Sequence, residues 1–313
     1  MILKNFLLPD SAPRLDISAL PTSRLQLPDR WLFEDGNVDT QVARQDSPVY
    51  SFLISHPSGK HILFDLGLRK ELENNPDVIR NDYGAISPEA PKDAVNLLAE
   101  GPVSASDIDA VVFSHLHFDH TGDCTKFPQA SLIVGPGSRA ATTPGWPKDP
   151  ASPFLSSILD HPKFRELSFE RETWIELGPF ERTYDYFGDG SLYLVDTPGH
   201  MPGHLGALVH SGPGEWVFTG GDCCHHRSLL MGRRPMSVTV GPNGTKSFHK
   251  DPETAKRTIE RVRDLDNDES FLVALPHDAT LDGIMPLYPE KLNGWRNSQW
   301  KKDLDTRIAT LFP

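Results

Sequence analysis

Ser114-His115-Leu116-His117-Phe118-Asp119-His120 sets three histidines and an aspartate close together in the chain. The apolar run Ala110-Val111-Val112-Phe113 precedes it and reads as a strand, and Thr121-Gly122-Asp123 follows as a turn. A strand that runs into a ligand-rich loop suits a metal, because the strand fixes the backbone and the loop aims the side chains. His115 and His117 are two apart, so in an extended segment both imidazoles point the same way and can reach one ion. Asp119 and His120 come where the chain starts to turn, which brings both toward a second ion close by. Imidazole nitrogen and carboxylate oxygen without thiolate suit zinc first, with iron or manganese as alternatives. The 13 histidines in 313 residues are a mild excess that a His-rich surface loop would explain, but four ligands behind one strand are more than that.

The pattern His115-x-His117-x-Asp119-His120 resembles the HxHxDH signature of the metallo-β-lactamase fold. Families with that signature draw further ligands from later strand ends, and this chain offers each of them. His200 stands in Thr197-Pro198-Gly199-His200, Asp222 follows Trp216-Val217-Phe218-Thr219-Gly220-Gly221, and His277 follows Phe271-Leu272-Val273-Ala274-Leu275-Pro276. The resemblance spans about residues 49–278. It implies an α/β fold, an αββα sandwich of two mixed β-sheets with helices outside, formed by residues 1–313 as a single domain. It also implies two divalent metal ions, with His115, His117 and His200 on one, Asp119, His120 and His277 on the other, and Asp222 bridging. His204, four residues after His200, is the structural partner in that pattern.

Composition narrows the field. A net charge of −12 argues against a protein that grips nucleic-acid phosphates. The three cysteines, Cys124, Cys223 and Cys224, show no disulfide or zinc-knuckle spacing, so a reducing, cytoplasmic setting is expected. The apolar run at Met1–Leu8 is too short for a secretory signal, and no run reaches membrane-spanning length.

In chain order, residues 1–45 are an N-terminal strap or edge hairpin. Val49–Ser55 and His61–Asp65 read as a hairpin around Pro57-Ser58-Gly59-Lys60. Asp65-Leu66-Gly67 resembles the family's Asp-Thr-Gly, whose aspartate lies behind the metals and accepts the other N–H of a histidine ligand. Residues 91–100 carry helix formers that Gly101 stops. Residues 141–188 and 225–250 are expected as substrate-facing insertions, with Trp146, Phe154 and Leu155 as pocket candidates and the second stretch as a lid. Leu229-Leu230-Met231 reads as an exposed apolar loop, a homodimer contact or a pocket wall. Asp251-Pro252 opens a helix, with aspartate as cap and proline at its first position. The tail with Trp295, Trp300 and Leu304 is expected to close over the domain.

The resemblance implies a hydrolase: two ions share a water, lower its pKa toward ~7 and supply hydroxide. Asp119, a ligand, can also pass a proton to the leaving group. Two departures matter. The doubled glycine Gly220-Gly221 leaves a choice between Asp222 and Cys223 as the residue facing the metals, and the oxygen ligand fits the thiolate-free set better. The surroundings are most similar to the N-acyl homoserine lactone lactonases, whose tyrosine three residues past the bridging aspartate is His225 here. A histidine there can donate to an oxyanion or shuttle a proton. The expected activity is opening of a small cyclic ester or amide (a lactone, lactam or cyclic carbamate), on a small-molecule substrate with no nucleic acid and no membrane. The first alternative is an acyl thioesterase of the glyoxalase II or carrier-protein kind, with Arg233-Arg234 as the candidate glutathione contact. A phosphodiesterase, a mononuclear iron oxygenase and a non-catalytic metal-binding protein of the same fold come after it.

Overall fold

Alternation along the strands builds three apolar layers. In the computed structural model, which describes residues 11–37, 39 and 43–313, twelve strands form two six-stranded sheets. The first sheet runs β1 (Asp16–Pro28), β2 (Arg44–Ser55), β3 (His61–Phe64), β4 (Ile108–Val112), β5 (Ser131–Val134) and β6 (Phe164–Glu166) in spatial order. The second comprises β7 (Trp174–Leu177), β8 (Phe180–Asp185), β9 (Leu192–Asp196), β10 (Leu205–Gly212), β11 (Glu215–Thr219) and β12 (Phe271–Ala274), again neighbour to neighbour. Both are mixed: β3 through β6 pair in parallel and β1–β2–β3 antiparallel, while β11–β12 is the parallel pair of the second sheet.

Period-two patterning decides which side chains meet. Phe52, Ile54, Ala110 and Val112 point inward to meet Ala207, Val209, Val217, Leu272 and Ala274 of the other sheet. Their neighbours Leu53 and Val111 point outward against Ala94, Leu97 and Leu98 of the helix Ala94–Leu98. On the far side Leu208, Trp216, Phe218 and Val273 pack against Ala255, Ile259, Val262 and Leu265 of the helix Pro252–Asp266. The result is two helix-covered sheets face to face, the expected αββα sandwich.

Within residues 1–45, β1 is an edge strand antiparallel to β2, which begins at Arg44. Residues 1–10, including the run read against a secretory signal, lie outside the described residues. The helix expected over 91–100 starts only at Ala94. Asp93 caps it, its carboxylate accepting from Asn96 N while the Asn96 side chain accepts from Asp93 N. Of the 141–188 stretch, β6, β7 and β8 belong to the two sheets. Trp295 and Leu304 of the tail are buried against the inter-sheet core.

One expectation is corrected here. Leu229-Leu230-Met231 is not an exposed loop: Leu229 and Leu230 end the short helix Arg227–Leu230 and are buried in the same outer layer as Ile259 and Val262. Packing of that helix on Pro252–Asp266 removes both as a surface contact, while Leu229 does wall a smaller cavity, with Met236, Ile259 and Arg263, away from the ligand cluster. Among the described residues, no helix is long and apolar enough to cross a membrane.

Candidate metal centre

Five strand ends converge on one rim of the sandwich. β3 ends just before Asp65, β4 before the His115–His120 loop, β9 before the His200 turn, β11 before Asp222, and β12 before His277. These strands present their carboxyl ends to the same crevice, where irregular backbone is free to aim side chains. His117 sits at the N-terminal boundary of the one-turn helix Phe118–Thr121, which carries Asp119 and His120 inward.

The seven expected ligands fall into two groups that meet at Asp222. In the first, His115 Nε2 and His117 Nδ1 are 2.9 Å apart, and His200 Nε2 lies 3.1 Å and 3.0 Å from them. Three ring nitrogens cannot all hydrogen-bond one another in this triangle, whose edges are close to those of a tetrahedral ion with bonds of about 2 Å. In the second, His120 Nε2 and His277 Nε2 lie 3.6 Å and 3.5 Å from Asp119 Oδ2. Asp222 divides its oxygens between the two. Oδ1 is 3.1 Å from both His120 Nε2 and His277 Nε2, and Oδ2 is 3.6 Å from both His115 Nε2 and His200 Nε2. Asp222, and not Cys223, faces the cluster; Cys223 is buried in the outer apolar layer.

The electrostatics fit divalent cations. Burial pushes His115, His117 and His200 down, His117 to about 4, so their lone pairs are free. Burial works the same way on His120 and His277, but the carboxylates of Asp222 and Asp119 outweigh it and raise both, His277 to about 9. Burial opposes ionisation of Asp119 and Asp222, yet the neighbouring imidazoles, His120 foremost, hold both below the usual carboxylate range. Two ionised carboxylates therefore draw protons onto His120 and His277, where divalent ions would take the protons' place. Among the described residues the buried His120 Nε2 and Asp222 Oδ1 have no well-aligned hydrogen-bond partner, as expected of atoms that ligate.

A second layer fixes the ligands. Asp65 Oδ1 accepts from Ser114 N at 2.7 Å, and its Oδ2 accepts from Ser114 Oγ at 2.7 Å and His120 Nδ1 at 2.9 Å. His277 Nδ1 donates to Pro48 O at 3.0 Å, and His115 Nδ1 lies 2.9 Å from Ser114 Oγ. Each contact fixes which ring nitrogen faces the centre. His204 bonds Thr197 Oγ1 through Nδ1 at 2.7 Å and belongs to neither group. The doubled glycine has a steric reason. Gly221 has φ +49°, and a Cβ there would lie 2.5 Å from Ser114 Cβ and 3.0 Å from His204 Nε2.

His225 Nε2 is 3.1 Å from Asp222 Oδ2, and the ring stacks on Phe248. Beside it stands His249, a residue sequence reasoning passed over within a long polar stretch; nothing in Ser247-Phe248-His249-Lys250 has a period that marks it. Over the cluster opens a cavity of about 690 Å³, floored by His117, Asp119, Asp222, His225 and His277. Trp31, Phe118, Phe154 and Phe248 give it aromatic walls, and Asn243, Lys246 and Lys250 a polar side. Phe154 stacks on His117 with ring centroids 5.9 Å apart. Leu155 is instead buried in an outer layer, with Trp146 packed against it. Arg233 and Arg234 do not line this cavity: Arg234 pairs with Asp29 and Asp35 and covers the Phe33 ring, and Arg233 reaches Phe312 O.

Comparison with known proteins agrees with the geometry. The Metallo-beta-lactamase superfamily profile matches residues 44–273. The chain is 35% identical to the metallo-hydrolase mfmC of Annulohypoxylon moriforme, over 95% of this chain and 87% of that protein. It is 36% identical to the cytochrome P450 monooxygenase mpaDE' of Penicillium brevicompactum, over 82% of this chain but only 32% of that longer protein. The gamma-lactamase FDB1 of Fusarium pseudograminearum is 32% identical over 81% of this chain and 72% of its own length. Among solved structures, a mutant of B. thuringiensis AiiA with N-decanoyl-L-homoserine at its active site superposes with a TM-score of 0.69 at 20% identity, over 90% of this chain and 99% of that one. The chain belongs to the metallo-beta-lactamase superfamily and is one of its hydrolases.

Proposed function

We propose that this protein opens a small cyclic ester or amide, and that an aryl-bearing lactam, lactone or cyclic carbamate is the preferred ring. The observation that carries the reading is Asp222, whose two oxygens face two separate sets of ring nitrogens on the floor of a cavity with aromatic walls. Relatives named gamma-lactamase and N-acyl homoserine lactonase support the ring substrate; the latter, AttM of Agrobacterium fabrum, is 30% identical over 76% of this chain.

His115, His117 and His200 would hold one divalent ion, zinc first, and Asp119, His120 and His277 the other, with Asp222 between them. Bound there, two such ions supply an acidified water and polarisation of the attacked carbonyl. The protein's own groups do the rest. Trp31, Phe118, Phe154 and Phe248 clasp the apolar body of the substrate and exclude water. Asp119, ionised at rest, takes the proton lost by the attacking water and delivers it to the ring nitrogen or oxygen as the C–N or C–O bond breaks. His225 donates an N–H to the carbonyl oxygen as negative charge builds on it. The product is an amino acid from a lactam, a hydroxy acid from a lactone, and a hydroxyl-bearing carbamic acid from a cyclic carbamate opened at its C–O bond. Among the described residues the three cysteines are free and buried, which fits a reducing, cytoplasmic setting.

The test offers zinc-loaded protein an acyl homoserine lactone, an aryl lactone, an aryl-fused lactam and an acyl thioester, and follows proton release. Acid from a ring substrate, abolished by a chelator and by Asp119→Ala, is the expected result. Turnover of the thioester alone would overturn the ring reading.

A further inference from the structure

We infer that His200, His225 and His249 form a third cation site, one that takes zinc, on the cavity wall beside the two ligand groups. All three are buried, and one ring nitrogen from each lies within 4.8 Å of the others. Their ring centroids stand 5.0 Å apart for His200–His225, 5.0 Å for His225–His249 and 5.2 Å for His200–His249. The corresponding spacings in the His115–His117–His200 triangle are 4.5, 4.6 and 4.8 Å. Three imidazoles around one zinc with bonds of about 2 Å place their centroids about 5 Å apart.

Ring spacing alone would also suit ordinary packing. The unpaired nitrogens distinguish the two. His249 is 4% exposed, and among the described residues neither Nδ1 nor Nε2 has a hydrogen-bond partner. A phenylalanine or leucine would pack there without burying two bare polar atoms, and buried polar atoms ordinarily find a partner. His200 adds a third: its Nε2 converges with His115 and His117, but its Nδ1 is buried without a partner among the described residues. His115, His120 and His277 all have their second nitrogen engaged, so His200 is set apart from them as a ring free to serve two ions. His225 and His249 would bind as neutral imidazoles, while His200 would lose its remaining ring proton to solvent and bridge the two ions as an imidazolate; such a nitrogen set with no thiolate suits zinc, copper or nickel. No carboxylate belongs to the triad, so this site is weaker than the other two, and His225 and His249 leave its open side to the cavity. A third ion there would occupy His225 and take its N–H away from the substrate, so zinc beyond two equivalents lowers turnover.

The inference shares His200 with the two-ion reading, whereas His249 belongs to neither of those groups. His249→Ala therefore isolates it. Wild type and His249→Ala are dialysed against micromolar free zinc and their bound zinc is counted, and zinc-edge anomalous diffraction is recorded from wild-type crystals grown in that zinc. The expected result is one more zinc per chain in wild type than in the variant, and an anomalous peak within bonding distance of a His249 nitrogen. Equal uptake, or no peak at His249, overturns the third site. How many ions the variant itself keeps tests the two-ion reading separately: two supports it, and fewer counts against it. Should His249→Ala fail to fold, the anomalous peak decides alone.

Discussion

Replacing Asp65 by asparagine should weaken metal binding while leaving the fold in place. Asp65 has φ +62°, a left-handed conformation that asparagine tolerates and alanine does not, so the backbone is undisturbed. The carboxylate accepts three hydrogen bonds, from Ser114 N, Ser114 Oγ and His120 Nδ1. An amide has one acceptor oxygen. With Oδ1 kept on Ser114 N, its NH2 group faces Ser114 Oγ, which can turn to accept, and His120 Nδ1, which cannot accept while it carries a proton. His120 must then move that proton to Nε2, the nitrogen that faces Asp222 Oδ1 and would ligate. Loss of a hydrogen bond to a charged group is worth about 1.5–3 kcal/mol, or about 10- to 100-fold in affinity, the range seen when the outer partner of a ligand is removed. Competition with a chromogenic zinc chelator reads this directly. Wild-type affinity in a folded Asp65→Asn protein would refute the claim that Asp65 sets the tautomer of His120.

Other perturbations test the frame around the site. Arg227 is buried between Asp278 and Asp266 and donates to Val273 O, so it ties the strand end behind His277 to the segment that carries His225. Arg227→Met leaves the fully buried Asp278 without its partner, and urea denaturation should show a loss of about 3–5 kcal/mol. Asp196 tests the pH dependence. Burial pushes its carboxyl up to about 6 from 3.8, with Arg182 opposing at 3.6 Å. The folded state then binds this proton more tightly than the unfolded chain does, so the group's contribution to stability is present below pH ~4 and is lost as pH rises through ~6. Asp196→Asn should therefore gain on the order of 2 kcal/mol at pH 8, after allowance for the lost Arg182 pair, and nothing at pH 4. Denaturation of both proteins at the two pH values checks it.

The candidate metal loop stood out in the sequence because its chemistry is local: His115, His117, Asp119 and His120 are neighbours in the chain behind an apolar strand. His200, Asp222 and His277 were legible only through resemblance, since nothing in their own spacing says that five strand ends share a rim. The strands at 49–55, 110–113 and 216–218 stood out as apolar runs, whereas the layered sandwich they build came from the resemblance. What escaped was set by tertiary contact. Leu229 and Leu230 read as exposed because the helix that buries them lies more than twenty residues on. His249 carries no periodic signal, and its neighbours at the site come from distant turns. Trp31, from the short helix Asp29–Leu32 after β1, walls the cavity although that segment read only as a strap or hairpin.

In the proposed function two ions, divided by Asp222, are both needed for ring opening. The most direct measurement titrates metal-free protein with zinc and records the rate of proton release from an aryl-fused γ-lactam at each equivalent. Little turnover is expected at one equivalent and a maximum at two, with Asp222→Ala inactive throughout. Full turnover at one equivalent, or an Asp222→Ala protein that keeps it, would rule out a reaction that needs both ions.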